Sequence, residues 1–526
     1  MSKWFWVLGL TLVLTVQGWC EGNNAEIIGK GQKVSAQDSR PVIIPKPQSA
    51  TWQDGSLLLN KLIYPQPHYS DISSRIERAT LALKQFLQPA SPVEGSIPLY
   101  LGVVGYDSTV AKRCIAEKIT VPHKAEAYAL SVSSSGITVV GYDLPGLFHG
   151  IMTLRQMKQN NNPATLPYAK IQDYPALAYR GLHIFTGKNA LQEQKALVDV
   201  MALHKMNNII LQLDYMEYKS HPEIWYEPMG QKQSEIKELL QYCKDRFIEV
   251  NPMINTPGHT EWIFRNGLHY DICEDPNPTK KAIPYALYVD NDSTYQFLFE
   301  IYDEVIDLFK PTYFHIGHDE PDLPKYVKFP CRSQGFTVRE LLEMDIRKNA
   351  EYFKNKNIKI MIWGDTMLYP DEANDNFNAK TKEDAIQLRK MLKEIEAQPG
   401  SAKFLICDWH YSPAAPKDYK SIAIFKKEGF SVIVCTWYFR ENIRSLIQQA
   451  MKDQAMGMLQ TTWAGYNFSI EANTTCHDQF SAYLLAADYS WSGRKEKANN
   501  LGYDANKVFF DDFRTFKQGK QSLQLQ

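Results

Sequence analysis

Two adjacent carboxylates near the middle of the chain have the chemistry of a general acid–base pair. They are Asp319 and Glu320, and they end the stretch Tyr-Phe-His-Ile-Gly-His-Asp-Glu. The apolar residues of this stretch predict a short strand over 312–316 that breaks at Gly317 into a loop. An α/β barrel carries its chemistry at the carboxyl ends of its strands. An acidic loop can also cap a following helix, and the spacing alone favours this plainer interpretation.

The elements that must position this pair alternate between strands and helices. Helical spacing of apolar residues predicts helices between the strands, at 192–204, 234–245, 293–309, 338–354 and 441–452. Apolar runs predict eight strands, at 180–185, 208–213, 248–254, 312–316, 359–363, 403–407, 431–435 and 457–461. Eight strands separated by helices predict a (β/α)8 TIM barrel. The alternative is an open doubly wound sheet, but no Gly-x-Gly-x-x-Gly turn follows any strand.

A smaller domain is predicted in front of the barrel. Strands at 97–104, 127–132 and 137–141 and helices at 75–87 and 147–157 together predict an α+β fold. A proline-punctuated segment at 163–175 is interpreted as a linker. The predicted regions are a signal peptide at 1–22, a flexible segment at 23–40, the accessory domain at 41–175, the barrel at 176–494 and a C-terminal tail at 495–526.

Composition restricts the class of partner. The chain has 526 residues, 44% of them hydrophobic, and a net charge of −1. It carries no long block of like charge, which argues against a nucleic acid or an anionic membrane surface as partner. A neutral small molecule or a glycan is favoured instead. The sequence does not predict the oligomeric state.

The amino terminus is typical of an exported protein. Lys3 precedes a continuous apolar run over 4–16, which is short for a membrane span. We therefore expect a secreted or periplasmic protein without an integral membrane span. Cys20 raises lipid anchoring as an alternative, although Trp19 before it is a poor fit to that signal.

Cysteines and histidines indicate neither a disulfide scaffold nor a metal site. Seven cysteines remain after the signal, an odd number without repeated spacing. Cys273 and Cys331 are loop residues on either side of the acidic pair and are candidates for one bridge. No His-Glu-x-x-His motif occurs, and the histidines are scattered without the spacing of metal ligands, as at His204, His221 and His269. No Gly-x-Ser-x-Gly elbow is present either. We therefore expect no metal and no cofactor.

A tryptophan lies at the end of one predicted strand and two residues after the ends of three others. These residues are Trp363, Trp409, Trp437 and Trp463. On one barrel they would meet at the same mouth, where indole offers a flat apolar face to sugar C–H groups and an N–H to hydroxyls. Any one of them fits an ordinary core residue. Four at equivalent places favour an aromatic sugar pocket.

The sequence around the acidic pair resembles a known family. His-Ile-Gly-His-Asp-Glu over 315–320 is similar to the His-x-Gly-Gly-Asp-Glu signature of glycoside hydrolase family 20, the β-N-acetylhexosaminidases. Asn-Thr-Pro-Gly-His over 255–259 resembles the family's Asp-x-Pro-Gly-His turn. The resemblance covers about residues 41–490 and implies a TIM barrel with an accessory domain in front. It also implies an exo-acting hydrolase that releases terminal β-linked N-acetylhexosamine from glycans.

The resemblance implies a substrate-assisted mechanism, an exception to the usual pair of carboxylates. The 2-acetamido oxygen would attack the anomeric carbon and form an oxazolinium ion. Glu320 would protonate the leaving oxygen, and Asp319 would bind the acetamido N–H. Tyr411 would donate to the acetamido oxygen, and the tryptophans would enclose its methyl group. The other implied roles are sugar-hydroxyl binding by Arg180 and Asp365 and support of the acidic pair by His259.

Some residues depart from the family pattern. His318 replaces the second glycine of the signature and places a titratable side chain beside the acidic pair, where we expect it in the substrate site. Phe185 and Lys188 stand where the family has Asp and Arg, and Asn255 stands where it has Asp. These departures keep two alternatives open, a hydrolase of the same clan with altered amino-sugar specificity and a non-catalytic glycan-binding protein. The intact acidic pair argues against the second.

Overall fold

The computed structural model describes residues 40–66, 74–89, 91–105, 108–159, 165–281, 283–320, 332–466 and 469–519. The predictions of a signal peptide over 1–22 and of lipidation at Cys20 lie outside the described residues, as does the predicted flexible segment up to residue 39. Cys331, the candidate partner of Cys273, lies outside them as well. Within the described ranges, no helix combines the length and apolar character needed to cross a membrane.

The first domain is one mixed sheet with helices, which confirms the α+β prediction. Its strands are β1 (Ser49–Leu58), β2 (Lys61–Gln66), β3 (Val93–Val103), β4 (Tyr128–Ser133), β5 (Gly136–Gly141) and β6 (Thr165–Asp173). Its helices are α1 (Ser74–Leu87), α2 (Ser108–Glu117) and α3 (Leu144–Gln159). The strand order is β1-β6-β4-β5-β3-β2. Leu147, Phe148 and Ile151 of α3 are buried in the domain's core.

The predicted linker is wrong, because most of it is strand β6. This strand lies between β1 and β4 and pairs antiparallel with both. Leu166, Ala169 and Ile171 are buried, so the segment has a core face that the prolines concealed. Pro167 sits where the register with β1 shifts, opposite Ser56. A proline is tolerated at such a bulge because the ladder is already interrupted there.

The second domain is a closed barrel of eight parallel strands, as predicted. The strands are β7 (Tyr179–Phe185), β8 (Asn208–Gln212), β9 (Glu249–Thr256), β10 (Tyr313–Gly317), β11 (Lys359–Trp363), β12 (Phe404–Trp409), β13 (Ser431–Thr436) and β14 (Gly457–Gln460). Each pairs with the next, and β14 pairs with β7 to close the barrel. Closure rules out the open doubly wound sheet. The interior is filled by apolar side chains from alternating strand positions, including Ile210, Met253, Met361, Leu405, Ile433 and Leu459.

Helices surround the barrel. They are α4 (Leu191–Leu203), α5 (Gln233–Lys244), α6 (Glu261–Phe264), α7 (Asp292–Phe309), α8 (Val338–Phe353), α9 (Lys382–Glu396), α10 (Ser421–Lys427), α11 (Arg440–Lys452), α12 (His477–Ser492) and α13 (Ala505–Lys517). Short 3₁₀ turns interrupt the loops at Pro222–Ile224, Tyr270–Ile272, Asp365–Met367, Pro416–Asp418, Thr474–Cys476 and Ala498–Asn500. Helix α13 docks on α4, where Asp512 Oδ2 lies 2.9 Å from His204 Nε2. Part of the predicted tail is therefore a packed helix.

Helix α7 determines where the acidic loop begins. The Asn291 side chain accepts a hydrogen bond from the Ser293 N–H, which satisfies a free donor at the helix start. Leu298, Ile301 and Val305 follow at helical spacing and are fully buried against the barrel. The helix ends at Lys310, whose backbone is left-handed, and the chain then enters β10. This packing fixes the strand that delivers Asp319 and Glu320.

Candidate active site

The loop after β10 turns sharply because its backbone is left-handed at Gly317, His318 and Glu320, with φ of 78°, 73° and 45°. A side chain at Gly317 would place its Cβ 2.5 Å from Asn255 Oδ1, so only glycine fits. The His318 N–H donates to the Thr256 carbonyl at 2.9 Å and holds the loop against β9. Non-glycine residues in this region carry strain, which concentrates at functional sites.

Asp319, Glu320 and His259 form a compact group at the carboxyl end of the barrel. His259 Nε2 lies 3.6 Å from Asp319 Oδ2 and 3.7 Å from Glu320 Oε2. The Asp319 side chain is 14% exposed, whereas that of Glu320 is 49% exposed. Asp319 Oδ1 is buried and accepts no hydrogen bond from any described residue. A buried acceptor of this kind is available to an N–H group of a ligand.

Burial and neighbouring charge shift the ionisation of this group. Burial raises the pKa of Asp319 to about 7; the nearby carboxyls Asp365 and Glu320 add to this, and His259 opposes it. Burial acts to lower the pKa of His259, but Asp319, Glu320 and more distant carboxyls outweigh it and raise that pKa. The group therefore holds more carboxylates than cations.

Asp365 supports the acidic loop from β11. Its Oδ2 accepts the Glu320 N–H at 3.1 Å and an Asn378 N–H at 2.7 Å. Its Oδ1 accepts the indole N–H of Trp409 at 3.0 Å. Burial is the main cause that raises the pKa of Asp365. With three donors already on its two oxygens, this carboxyl orients the Glu320 backbone and the Trp409 ring.

Tyr411 and three tryptophans line the pocket. The indole N–H of Trp463 donates to the Tyr411 hydroxyl oxygen at 2.9 Å, and the Tyr411 ring packs 5.5 Å from that of Trp437. Because the indole can only donate, the phenol oxygen accepts and its own proton is available for another acceptor. Trp363 is fully buried below this layer, 6.3 Å from Trp463 between ring centroids. The four predicted tryptophans thus form one continuous aromatic group with Tyr411.

A buried ionic network holds Tyr411 in place. Asp375 Oδ2 accepts the Tyr411 N–H at 2.8 Å, and its Oδ1 lies 2.6 Å from His410 Nδ1. Burial acts to lower the pKa of His410, but Asp408 and Asp375 raise it to about 9. His410 Nε2 also lies 2.8 Å from Ser421 Oγ. These contacts have the connectivity of a nucleophilic triad, but a buried cationic imidazole cannot act as its base.

The side of the pocket formed by the first two barrel strands is aromatic. Phe185 packs 6.0 Å from Trp463 and 4.9 Å from Tyr466 between ring centroids. Tyr466 donates its hydroxyl proton to Asp214 and packs edge-on against Tyr215. Burial raises the pKa of Asp214 to about 7, and its Oδ1 has no hydrogen-bond partner among the described residues. This side therefore offers rings and one buried carboxyl.

Comparison with known proteins assigns the family. The family model described as glycosyl hydrolase family 20, catalytic domain, matches residues 177–494, which is more than half of the chain. The chain belongs to glycosyl hydrolase family 20. The family's domain 2 matches residues 40–174, so the family 20 match continues through the accessory domain. The resemblance carried by the acidic stretch is thereby confirmed.

Relatives of this family 20 protein are distant. A β-hexosaminidase from Porphyromonas gingivalis is 25% identical over 418 residues, which cover 72% of this chain and 52% of that protein. A β-hexosaminidase from Vibrio furnissii is 26% identical over 341 residues, which cover 55% of this chain and 54% of that protein. The chain thus spans about half the length of these relatives. The solved structure of a β-N-acetylhexosaminidase from Bacteroides fragilis is 20% identical in sequence and aligns with a TM-score of 0.61. The alignment covers 92% of this chain and 96% of that chain, so the two share the same fold.

Three predicted roles change in this family 20 protein. His318 does not face the pocket: it is buried behind the loop, with Nε2 2.9 Å from Asp345 Oδ2. Its left-handed backbone turns the ring inward, towards α8. Asp365 has its oxygens occupied by protein donors, so it positions Glu320 and Trp409. Trp363 lies in the barrel interior beneath the pocket layer and is 1% exposed.

The predicted role of Arg180 in binding sugar hydroxyls is also wrong. Arg180 lies near the amino end of β7, at the end of the barrel opposite the mouth. Its guanidinium is fully buried and pairs with Glu126 of the accessory domain. It also donates to the carbonyl oxygens of Leu177 and Lys205 at 2.9 Å. A side chain with these partners cannot reach a sugar at the carboxyl end. The remaining predicted residues lie together there: Asp319, Glu320, His259, Trp409, Tyr411, Trp437 and Trp463.

Sequence reasoning missed residues that hold the pocket together. Gln479 of α12 accepts the indole N–H of Trp437 at 3.0 Å and the backbone N–H of Trp463 at 2.8 Å. Tyr285 donates to the Glu320 carbonyl at 3.1 Å. Neither residue lies near a motif, so no signal marked it. Tyr466 lies three residues after Trp463 and could have been found as a further aromatic residue of the same loop.

Proposed function

We propose that this protein is an exo-acting glycosidase that releases terminal β-linked N-acetylhexosamine from glycans. The retaining reaction would be assisted by the substrate's own 2-acetamido group. The observation that carries the proposal is the pairing of Asp319 with Glu320, since Asp319 Oδ1 is buried with no hydrogen-bond partner in the part of the chain that the structure describes, and Glu320 is half-exposed. One carboxyl is placed to bind an N–H group inside the pocket, and the other to exchange protons at its edge.

The proposed first step uses groups on opposite sides of the acetamido group. Asp319 accepts the acetamido N–H and Tyr411 donates to the acetamido oxygen, which aligns that oxygen for attack on the anomeric carbon. Positive charge then develops on the bicyclic oxazolinium ion, and the Asp319 carboxylate stabilises it. Glu320 gives its proton to the leaving oxygen, and no covalent bond to the protein forms. Trp409, Trp437 and Trp463 enclose the methyl group.

In the second step Glu320 acts in reverse. Its carboxylate takes a proton from a water molecule, which attacks the anomeric carbon and opens the oxazolinium ring. The stereochemistry of the starting glycoside is retained because the carbon is inverted twice. His259, within 4 Å of both carboxyls, favours their ionised forms between steps.

Inhibition by a thiazoline analogue of the oxazolinium ion tests the mechanism. We expect it to bind at least about 10²-fold more tightly than N-acetylglucosamine, because it mimics a high-energy state. Asp319→Asn should weaken thiazoline binding more than sugar binding. Asp371→Asn is a matched control, because that carboxylate is exposed and pairs with Lys382. A covalent adduct of a 2-fluoro glycoside on a carboxylate would instead show double displacement and reject the proposal.

A hydrolase with altered amino-sugar specificity is the second candidate. It is favoured by the aromatic pair of Phe185 and Tyr466 at the far side of the pocket and by Lys188, which pairs with Glu227 at the surface. His318 no longer supports it, because the ring is turned away. Release of chromogenic leaving groups from a panel of N-acetylhexosaminides, sulfated N-acetylhexosaminides and plain hexosides separates the two. Turnover confined to a substituted sugar would favour the second candidate.

Export is also proposed, from the apolar run over 4–16 that follows Lys3. We expect the full-length chain to be cleaved near Gly18 or Cys20 in its native host. Amino-terminal sequencing of the protein from the cell-envelope and medium fractions measures this. An uncleaved amino terminus in the cytoplasmic fraction would contradict the proposal.

A further inference from the structure

Two histidines that are far apart in sequence meet around one glutamate on the outside of the barrel. His221 lies in the loop after β8 and His269 in the loop after β9. Glu223 Oε1 lies 2.9 Å from His221 Nδ1 and 2.9 Å from His269 Nε2. One ligand atom from each of the three residues lies within 4.8 Å of the others. The sequence showed no ligand spacing for these histidines because separate loops bring them together.

The surroundings of the cluster match the usual environment of a metal-binding histidine. The second nitrogen of His221, Nε2, lies 3.1 Å from Glu300 Oε2 on α7. Histidines that bind a metal through one nitrogen commonly have a carboxylate beside the other. Phe297 packs under both imidazoles, 4.1 Å from His221 and 4.6 Å from His269 between ring centroids. The two rings therefore share an apolar contact, and both remain partly exposed to solvent.

The cluster is built at some cost in backbone strain. His269 has a left-handed backbone, with φ of 60°, which aims its ring at Glu223. The two imidazole planes are nearly perpendicular, at 88°. Asn266 donates to the carbonyl oxygens of Glu223 and Trp225, both at 2.9 Å, so the two loops are joined beside the cluster as well.

We propose that His221, Glu223 and His269 bind one transition-metal dication of the zinc class, with Glu300 as the outer carboxylate. Two imidazoles and one carboxylate suit Zn²⁺, whereas Ca²⁺ and Mg²⁺ prefer sites made of oxygen ligands alone. Neighbouring ligands of tetrahedral zinc are about 3.3 Å apart, given bond lengths of about 2.0–2.1 Å. In the cluster two of the three separations between ligand atoms are 2.9 Å and the third is at most 4.8 Å, which brackets this spacing. Water completes the coordination.

The site acts on structure, because it joins loops. The loop after β9 also carries His259 and Tyr285, which contact the acidic loop at the mouth. A metal ion that links this loop to the one after β8 lowers the freedom of both. Binding to the folded chain alone also raises the temperature of unfolding. The proposal does not depend on the glycosidase activity.

Direct metal binding to the full chain tests the proposal. The protein is made without a histidine tag, dialysed against a chelator, and titrated with Zn²⁺ alone in competition with a chromophoric chelator. We expect one Zn²⁺ per chain, and with Co²⁺ alone the visible absorption of a tetrahedral site. The unfolding temperature should rise with Zn²⁺. A wild-type chain that binds no Zn²⁺ at the concentration of the protein overturns the proposal.

Variants show whether these residues are the ligands. His269→Asn is preferred because asparagine tolerates the left-handed backbone. It should lower Zn²⁺ affinity at least about 10²-fold and abolish the rise in unfolding temperature. Glu300→Gln should lower Zn²⁺ affinity by about tenfold. His123→Asn is the control, because His123 is exposed and contacts Tyr142 in the accessory domain; it should bind like wild type. Equal affinity in His269→Asn and wild type would overturn the assignment. Glu223→Gln provides an independent variant if His269→Asn does not fold.

Discussion

The two ends of the barrel both bury charged side chains, but they pair them differently. At the amino end, Glu126 meets Arg180 and His149, and Asp173 meets Lys205, with the Asp173–Lys205 pair fully buried. Burial alone would raise the pKa of Glu126, but Arg180 and His149 hold it well below its usual range. Every carboxylate in this group thus has a cation beside it.

At the carboxyl end the balance is reversed. Asp365 and Asp214 are buried, the Asp319 side chain is 14% exposed, and burial is the main cause that raises the pKa of each. Among the described residues, His259 is a basic group beside Asp319 and Glu320, with its Nε2 3.6 Å from Asp319 Oδ2 and 3.7 Å from Glu320 Oε2. A surplus of carboxyls is unfavourable for folding but favours a ligand that brings an N–H group or a positive charge.

The difference between the ends indicates what each is for. Matched charge at the amino end fixes the accessory domain to the barrel, because Glu126 and Asp173 come from the first domain and Arg180 and Lys205 from the second. Unmatched charge at the carboxyl end is retained at a cost in stability. We therefore expect substitutions at the two ends to separate activity from stability.

The largest effect should come from removing the proposed proton donor, Glu320, at the carboxyl end. Glu320→Gln should lower kcat/KM by about 10²–10⁴-fold on substrates with poor leaving groups, because general acid catalysis contributes this much. The loss should shrink on activated aryl glycosides, which need little protonation. Steady-state kinetics on both substrate types measure it, with exposed Glu238→Gln as control. Equal losses on the two substrates would give Glu320 another role.

Breaking the matched charge at the amino end should affect stability instead. Arg180→Met leaves Glu126 without its main cation and should lower the free energy of unfolding by about 3–5 kcal/mol. Lys188→Met is the matched control, since its exposed pair with Glu227 is worth less than about 1 kcal/mol. Urea unfolding measures both.

Activity per folded molecule should stay near wild type in Arg180→Met. Adding Glu126→Gln should restore part of the lost stability, because the uncompensated charge is removed with its partner. A large loss of kcat with unchanged unfolding would return Arg180 to the substrate site.

Asp319 should make the protein less stable as the pH rises. Its pKa is about 7 in the folded chain, above the ordinary value of 3.8, so the folded state binds an extra proton between these values. Stability from this group is therefore present at low pH and is lost as the pH rises towards 7 and beyond. Asp319→Asn should raise the free energy of unfolding at pH 8 by on the order of 2 kcal/mol, and should flatten the dependence of that free energy on pH between pH 5 and pH 8. An unchanged slope would show that Asp319 is not the group responsible.

The smallest effect should come from a matched pair of charges at the carboxyl end, Asp375 and His410. Asp375→Asn weakens the link between His410 and the backbone of Tyr411, so we expect kcat/KM to fall by about tenfold. This loss is smaller than the roughly 10²-fold loss of rate expected when a reacting group is misplaced by 1 Å. Kinetics with Asp418→Asn, another loop aspartate, as control measure this. The affinity for the thiazoline should fall by a similar factor, because kcat/KM and thiazoline binding both depend on Tyr411. A loss of kcat/KM without a loss of thiazoline affinity would contradict this role of Asp375.

The barrel was predictable from sequence because each of its strands is a continuous apolar run. All eight predicted strands are present, and their ends differ from prediction by two residues or fewer. The first domain was harder, because the edge strands β1 and β2 have largely exposed side chains and strand β6 contains a proline. Patterning detects strands that are buried on both faces more readily than edge strands.

The direction of a side chain was harder to predict than its place in sequence. His318 is next to Asp319, yet a left-handed backbone points its ring at Asp345, away from the mouth. Arg180 is in a barrel strand, but its position near the amino end of that strand places it by Glu126. His221 and His269 meet only because two long loops fold against α7. Such relations depend on backbone angles and loop paths, which periodicity does not encode.

The pairing of β14 with β7 has a consequence for synthesis on the ribosome. The first barrel strand begins at Tyr179, and its partner begins at Gly457, so the barrel cannot close until most of the chain has been made. Helix α13, which covers α4, emerges later still. Until then the edge of β7 that pairs with β14 and the side of α4 that α13 covers have no partner, and the nascent barrel is exposed to aggregation. The sheet of the accessory domain has no such dependence, because its six strands are complete at Asp173 and can pair while the barrel is still being translated.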